Sequence, residues 1–284
     1  MSASQPAPEA APEPHGLGHD LAGLARGLGG ALIFALPMLM TMEMWWLGFS
    51  MDRLRLVLLL LVNIPLLVAL SHFAGFEKTF DVREDLRDAF IAYGIGILAS
   101  SIVLAAFGAI GPGMGADRAV GMIALQAVPA SLGALLARSQ LGDAPMDQPE
   151  TDRHSPYLGE LFLMAVGALF LGLNVAPTEE VLLIACRMSA WHTLVLIVLS
   201  MLVMHGFVFA VGFRGGEALP EGTPRWSAAL RFTCPGYVIA AGIGLYVLWT
   251  FGRIDGMGAA QVLTMTVVLG FPASVGAAAA RLIL

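Results

Sequence analysis

Charge is scarce in this chain. Charged residues make up 13% of its 284 positions, about half the share usual in soluble globular domains, which excludes an ordinary soluble enzyme. Two cysteines exclude a disulfide framework and a four-thiolate metal site. A formal charge of −6 excludes a nucleic-acid-binding surface, which needs a basic face. Catalytic signatures are missing as well. There is no His-Glu-x-x-His, Cys-x-x-Cys, Gly-x-Ser-x-Gly or Gly-Lys-Ser/Thr phosphate loop, and no Asp pair suited to an intramembrane aspartyl protease. No enzymatic activity and no cofactor are expected.

Apolar sequence fills the space. Hydrophobic residues reach 57%, and a bilayer crossing needs about 20 consecutive apolar helical residues. Eight runs qualify, near residues 25–46, 54–76, 88–110, 118–140, 157–176, 192–213, 227–250 and 258–282. The expected fold is an all-α membrane protein of about eight transmembrane helices, or seven if a weak run lies in the interface. Residues 1–24 form a Pro/Ala-rich, acidic tail expected to be disordered, with no secretory signal before the first run. Residues 142–156 form a polar linker. Ten of the 15 basic residues fall on the N-terminal side, and Arg53, Arg55, Arg118, Arg187 and Arg253 on the other. The excess predicts both termini in the cytoplasm of a bacterial inner membrane.

The chain also repeats itself. PASLGALLARSQL at 129–141 shares eight of thirteen positions with PASVGAAAARLIL at 272–284, an offset of 143. Upstream, an offset of 137 aligns residues 30–43 with 167–180, pairing Thr41 with Thr178 and Glu43 with Glu180. Residues 25–141 and 157–284 therefore read as two four-helix repeats. A unit with an even number of spans re-enters the membrane the same way up, so the copies are expected to be parallel, about an axis normal to the membrane.

Ionisable groups at membrane depth are the default functional candidates, because desolvating them is costly. Glu43, Glu179 and Glu180 are the acids beside apolar runs. Glu43 and Glu180 are positioned to face each other across an axial pathway, where two close carboxylates raise one pKa and hold a proton or cation. Thr41 and Thr178 would add hydroxyl oxygens. Asn174 and Pro177, before Thr-Glu-Glu, carry the signature of a helix restarting after a break; an ordinary proline kink is the alternative. His205, in the sixth run, is either a proton relay or a partner of a neighbouring helix. Trp45 and Trp46 suit a headgroup interface, which would make Glu43 an interfacial acid instead. Arg138 and Arg281 close equivalent helices and suit lipid phosphates or gating.

The stretches FALPMLMTMEMWWLG (34–48) and NVAPTEE (174–180) resemble an uncharacterised bacterial family of polytopic integral membrane proteins. The resemblance spans most of residues 20–284 and implies a multispan inner-membrane protein; that family offers no functional residues to carry over. Two functions follow as expectations. One is a permease or channel for a cation or proton, with its site between the repeats. The other is a non-transporting scaffold or partner-binding subunit. Lipid is the common surrounding, and a homo-oligomer or a membrane partner subunit is compatible with either.

Overall fold

The computed structural model describes residues 17–74, 82–141, 157–210 and 229–283, and every regular element among them is helical. In chain order these are α1 (Leu17–Leu39), α2 (Met42–Ser50), α3 (Arg53–Ala74), α4 (Val82–Ala106), α5 (Ala116–Leu141), α6 (Tyr157–Val175), α7 (Glu180–Arg187), α8 (Ala190–Ala210), α9 (Cys234–Thr250) and α10 (Ala259–Ile283). A π-helical turn at Ala229–Thr233 leads into α9. All but α2 and α7 are long and apolar enough to span a bilayer, which gives eight candidate crossings among the described residues. Helices are the natural solution, because lipid offers no partner to an unsatisfied backbone group. Of the tail expected over residues 1–24, residues 17–24 are helical as the start of α1; residues 1–16, the linker and the side chains of Arg138 and Arg281 lie outside the described residues.

The first run differs from expectation. It is not one helix from 25 to 46 but two, because α1 stops at Leu39 and Thr41 takes an extended conformation before α2 (φ −99°, ψ 128°). The matching event in the second half separates α6 from α7. Each half is thus a sequence of long, short, long, long and long helices. Met51 and Met188, 137 residues apart, end the two short helices in the same extended conformation.

The last helix of each half is its centre. Of its membrane-spanning stretch, α5 buries 78% and α10 buries 61%, against 17% for the peripheral α8. In the first half α5 packs against α1, α2, α3 and α4; in the second, α10 packs against α6, α7, α8 and α9. Apolar side chains gain little by leaving lipid for one another, so close packing must hold such helices together. Glycine supplies it here. A Cβ on Gly30 would fall onto the carbonyl oxygen of Gly133, and one on Gly133 onto that of Gly30. Gly167 and Gly276 stand in the same reciprocal relation. The offsets are again 137 and 143, so both halves cross their first and last long helices backbone to backbone at matching residues.

The loops repeat too. Gly108 and Gly252 have φ of 70° and 69°, a left-handed conformation that glycine adopts without strain. At the end of α4, Gly108 N–H donates to Ala105 and Ala109 N–H to Leu104; at the end of α9, Gly252 donates to Trp249 and Arg253 to Leu248. This is the paired 5→2 and 6→1 closure of a Schellman turn, made twice. Gly-Met-Gly-Ala follows in both copies, at 113–116 and 256–259.

The halves meet through α1 and α6, with the Phe34 and Phe170 rings 4.5 Å apart, and through Phe73 of α3 against Phe162 of α6 at 5.3 Å.

Substituting Gly133→Ala or Gly276→Ala forces apart two backbones in contact, an overpacking cost of about 1–3 kcal/mol. Each should lower the melting temperature in detergent by a similar amount. Gly29→Ala, with open space around it, should leave the temperature unchanged or raise it slightly through better helix propensity.

Candidate functional site

A helix that ends beside another packed helix exposes its last carbonyls, and these need donors. The two breaks meet this need in part alike and in part differently. Thr41 donates its hydroxyl to Met38 O (2.9 Å), and Thr178 donates to Val175 O (2.8 Å), the counterpart residue. In the first half, Trp45 Nε1 covers Leu39 O at 2.7 Å, and the Gln126 amide on α5 donates to Met38 O at 3.1 Å. The Trp45 indole is therefore a cap for the end of α1. In the second half, the guanidinium of Arg253, from the α9–α10 loop, donates to Pro177 O and pairs with Glu179 Oε1 at 2.7 Å.

The candidate acids sit just past these breaks. Glu43 lies half-buried in the first turn of α2, while Glu180 lies exposed in the first turn of α7. Glu179 is occupied by Arg253. The Glu180 carboxyl is held below its ordinary value, first by its own backbone N–H and then by the Thr178 hydroxyl. That hydroxyl has one proton, so Val175 O and the carboxylate compete for it. The direction is opposite to the rise that a proton-sharing pair would produce at Glu180.

The structure thus brings Thr41 and Glu43 together at one break, and Asn174, Thr178, Glu179 and Glu180 together at the other. Asn174 donates to Phe170 O at 2.8 Å, and its own Oδ1 is buried without a donor. His205 lies apart from both, toward the opposite end of α8, where its Nδ1 is 3.0 Å from the hydroxyl of Thr233 in the π-turn. The free cysteines, Cys186 and Cys234, lie on different helices.

Several residues with a visible role escaped sequence reasoning. The far-side arginines tie that surface together. Arg55 pairs with Asp255 at 2.9 Å, bonds Trp249 O at 2.8 Å and stacks on the Trp249 ring, which links α3 to α9. Arg53 caps Gly48 O, and Arg118 lies over Phe49. At the opposite ends of the spans, Asp85 and Glu160 are acids that are truly buried, 3% and 5% exposed. Asp85 is 3.4 Å from His72. The available signal was their place in the first turn of a helix just ahead of its apolar face. Among the described residues no group of three or more His, Cys, Asp or Glu is arranged to hold a metal ion.

Residues 23–284 match the family described as "Putative integral membrane protein (DUF2391)". No curated protein and no solved structure matches the chain.

Two measurements follow from this geometry. Arg253→Gln leaves a helix-end carbonyl without its donor and should cost about 1–3 kcal/mol. Glu179→Gln removes only an ion pair whose acid is 59% exposed and should cost less than about 1 kcal/mol; chemical denaturation of the two variants checks the order. For Glu180 the depressed pKa contributes stability above the ordinary carboxylate value, and this is lost as pH falls through the lowered one. The melting-temperature gap between wild type and Glu180→Gln should be flat from about pH 6 to 8 and close only below about pH 4.

Proposed function

Because the chain belongs to that family of multi-pass integral membrane proteins, we propose that it is a permease or channel for a small cation, with Glu43 and Glu180 at the mouth of the pathway. The observation that carries this reading is the matched placement of the two acids. Each opens a short helix directly after a break at the far end of an apolar span, 137 residues apart, and each reaches the surface. Broken helices of this kind line ion and substrate sites in transporters. The Glu180 carboxyl is held below its ordinary value, where a proton-sharing pair would raise it, and this fits a metal cation at the mouth better than a shared proton.

Parallel repeats about a central axis fit this reading. The contact between α1 and α6 joins two mutually equivalent helices, the place where such an axis would pass. A bacterial inner membrane with cytoplasmic termini fits as well, since ten of the 15 basic residues fall on the N-terminal side.

The second reading is a scaffold or partner-binding subunit without flux. The exposure of Glu180 and the largely uncovered α8 favour it, because both are then free for a membrane partner.

Cation flux into proteoliposomes separates the two. Wild-type protein should carry K⁺ or Na⁺ down a gradient, and Glu43→Gln/Glu180→Gln should reduce flux to the level of empty vesicles while its elution profile is unchanged. Flux that survives both neutralisations would sink the assignment of these acids. Absence of flux from folded wild type would leave the scaffold.

A further inference from the structure

The two halves pack more extensively within themselves than against each other. Inside each, helices cross backbone to backbone at paired glycines. Between them lie the ring pairs Phe34–Phe170 and Phe73–Phe162 and, at the far ends of the helices, the ion pair of Arg55 with Asp255. Rings gain little by leaving lipid for one another, so the charged contact governs how firmly the far ends are closed.

That contact has a defined geometry. Arg55 Nη1 meets Asp255 Oδ2 at 2.9 Å, and Nη2 meets Oδ1 at 3.0 Å. Nη1 also donates to Trp249 O at 2.8 Å, and the guanidinium lies 4.9 Å from the centre of the Trp249 ring. A bidentate pair resting on an aromatic face is the strong form of such a contact. The Asp255 side chain is still 55% exposed, so the pair is open to water and to screening by salt.

Each partner is fixed to its own half. The Asp52 carboxylate accepts from the N–H groups of Leu54 and Arg55 at the start of α3, and Arg53 donates to Gly48 O. Asp255 stands in a loop anchored on the other side. There Arg253 N–H closes on Leu248 O, and its guanidinium on Pro177 O and Glu179. When Arg55 and Asp255 separate, the loop therefore stays with the second half, and the halves themselves part.

The repeat indicates that the fold does not require this pair. His192, at the offset of 137 from Arg55, lies 2.8 Å from the Ser189 hydroxyl at the start of its own helix. Residues 109–112 read Ala-Ile-Gly-Pro where 253–255 read Arg-Ile-Asp. The equivalent loop carries neither a carboxylate nor a guanidinium.

We propose that Arg55 and Asp255 form a clasp that closes the far ends of the two halves, and that its release lets the halves swing apart there as rigid bodies while Phe73 and Phe162 stay in contact at the opposite end. Rigid units joined by a small interface move in this way. The device stands whether or not an ion passes, and does not rest on the role given to Glu43 and Glu180.

Spin labels on full-length protein in lipid nanodiscs test it, with Cys186→Ser and Cys234→Ser removing the native thiols. One pair of labels, at Leu54→Cys and Leu263→Cys, spans the halves at the far ends. Another, at Leu86→Cys and Leu158→Cys, spans them at the opposite ends; all of these side chains are exposed. Double electron–electron resonance should show a longer far-side distance whose population rises about fivefold in Asp255→Asn. The labelled parent should respond the same way in about 1 M KCl, where charges are screened within about 3 Å. The distance at the opposite ends should hold in both cases. Glu179→Gln, which breaks only the ion pair inside the second half, should leave both distances unchanged. A far-side distance indifferent to Asp255→Asn and to salt would overturn the proposal. So would an equal lengthening at the opposite ends, or a Glu179→Gln protein that opens as far as Asp255→Asn, since a loosened loop would then account for the change.

Discussion

Two helices whose backbones touch are the foundation of each half. In lipid the hydrophobic effect does not hold α1 against α5, so contact depends on how near their axes come. Gly30 with Gly133, and Gly167 with Gly276, remove the side chains that would keep the axes apart. The other helices are arranged around that crossing. Gly96 brings α4 against Ala127 and Ser131, and Gly48 brings α2 against Met122, both on α5. A central helix gripped on several sides explains why buried polar residues collect on it. Gln126 and Ser131 belong to α5, and Ser274 to α10.

The same closeness limits the chemistry available at the far surface. Both short helices lie across the ends of broken spans, and the carbonyls freed there are taken up by fixed donors: Thr41, Trp45 and Gln126 in one half, Thr178 and Arg253 in the other. Arg253 does two jobs at once, capping Pro177 O and pairing with Glu179, while Glu180 is held by its own backbone N–H and the Thr178 hydroxyl. The copies share a backbone course yet solve the same hydrogen-bonding problem with different residues. Divergence of this kind lets one half acquire a task the other lacks.

Much of the architecture was legible in the sequence, because length, apolarity and an offset of identical residues all act locally. The eight spans, the family and the pairing of Thr41 with Thr178 are of this type. The break in α1 was hidden. Its counterpart announces itself with Pro-Thr-Glu-Glu, whereas Met-Thr-Met-Glu inside an apolar run looks like continuing helix. It is a break because Gln126, 88 residues away from Met38, and Trp45 cap the loose carbonyls, and such tertiary donors leave no local signature. Arg253 was hidden for the same reason, read as one of five far-side charges and not as the cap of Pro177. Asp85 precedes the apolar run at 88–110 although its helix begins at Val82, and Glu160 stands in the first turn of its run, where an acid reads as the helix start at the surface. The Gly-Met-Gly-Ala pair was legible too, since its offset of 143 continues that of residues 129–141 and 272–284.

The crossing of first and last long helix carries a consequence for biosynthesis. A ribosome delivers α1 well before α5, and α1 finds its closest partner only when α5 enters the bilayer. Until then the notch at Gly30 faces lipid or the insertion machinery, with no intervening helix shaped to fill it as Gly133 does. Assembly of the half is therefore held open through the insertion of three spans and closed by the fourth, so the order of synthesis sets the moment at which the bundle becomes compact.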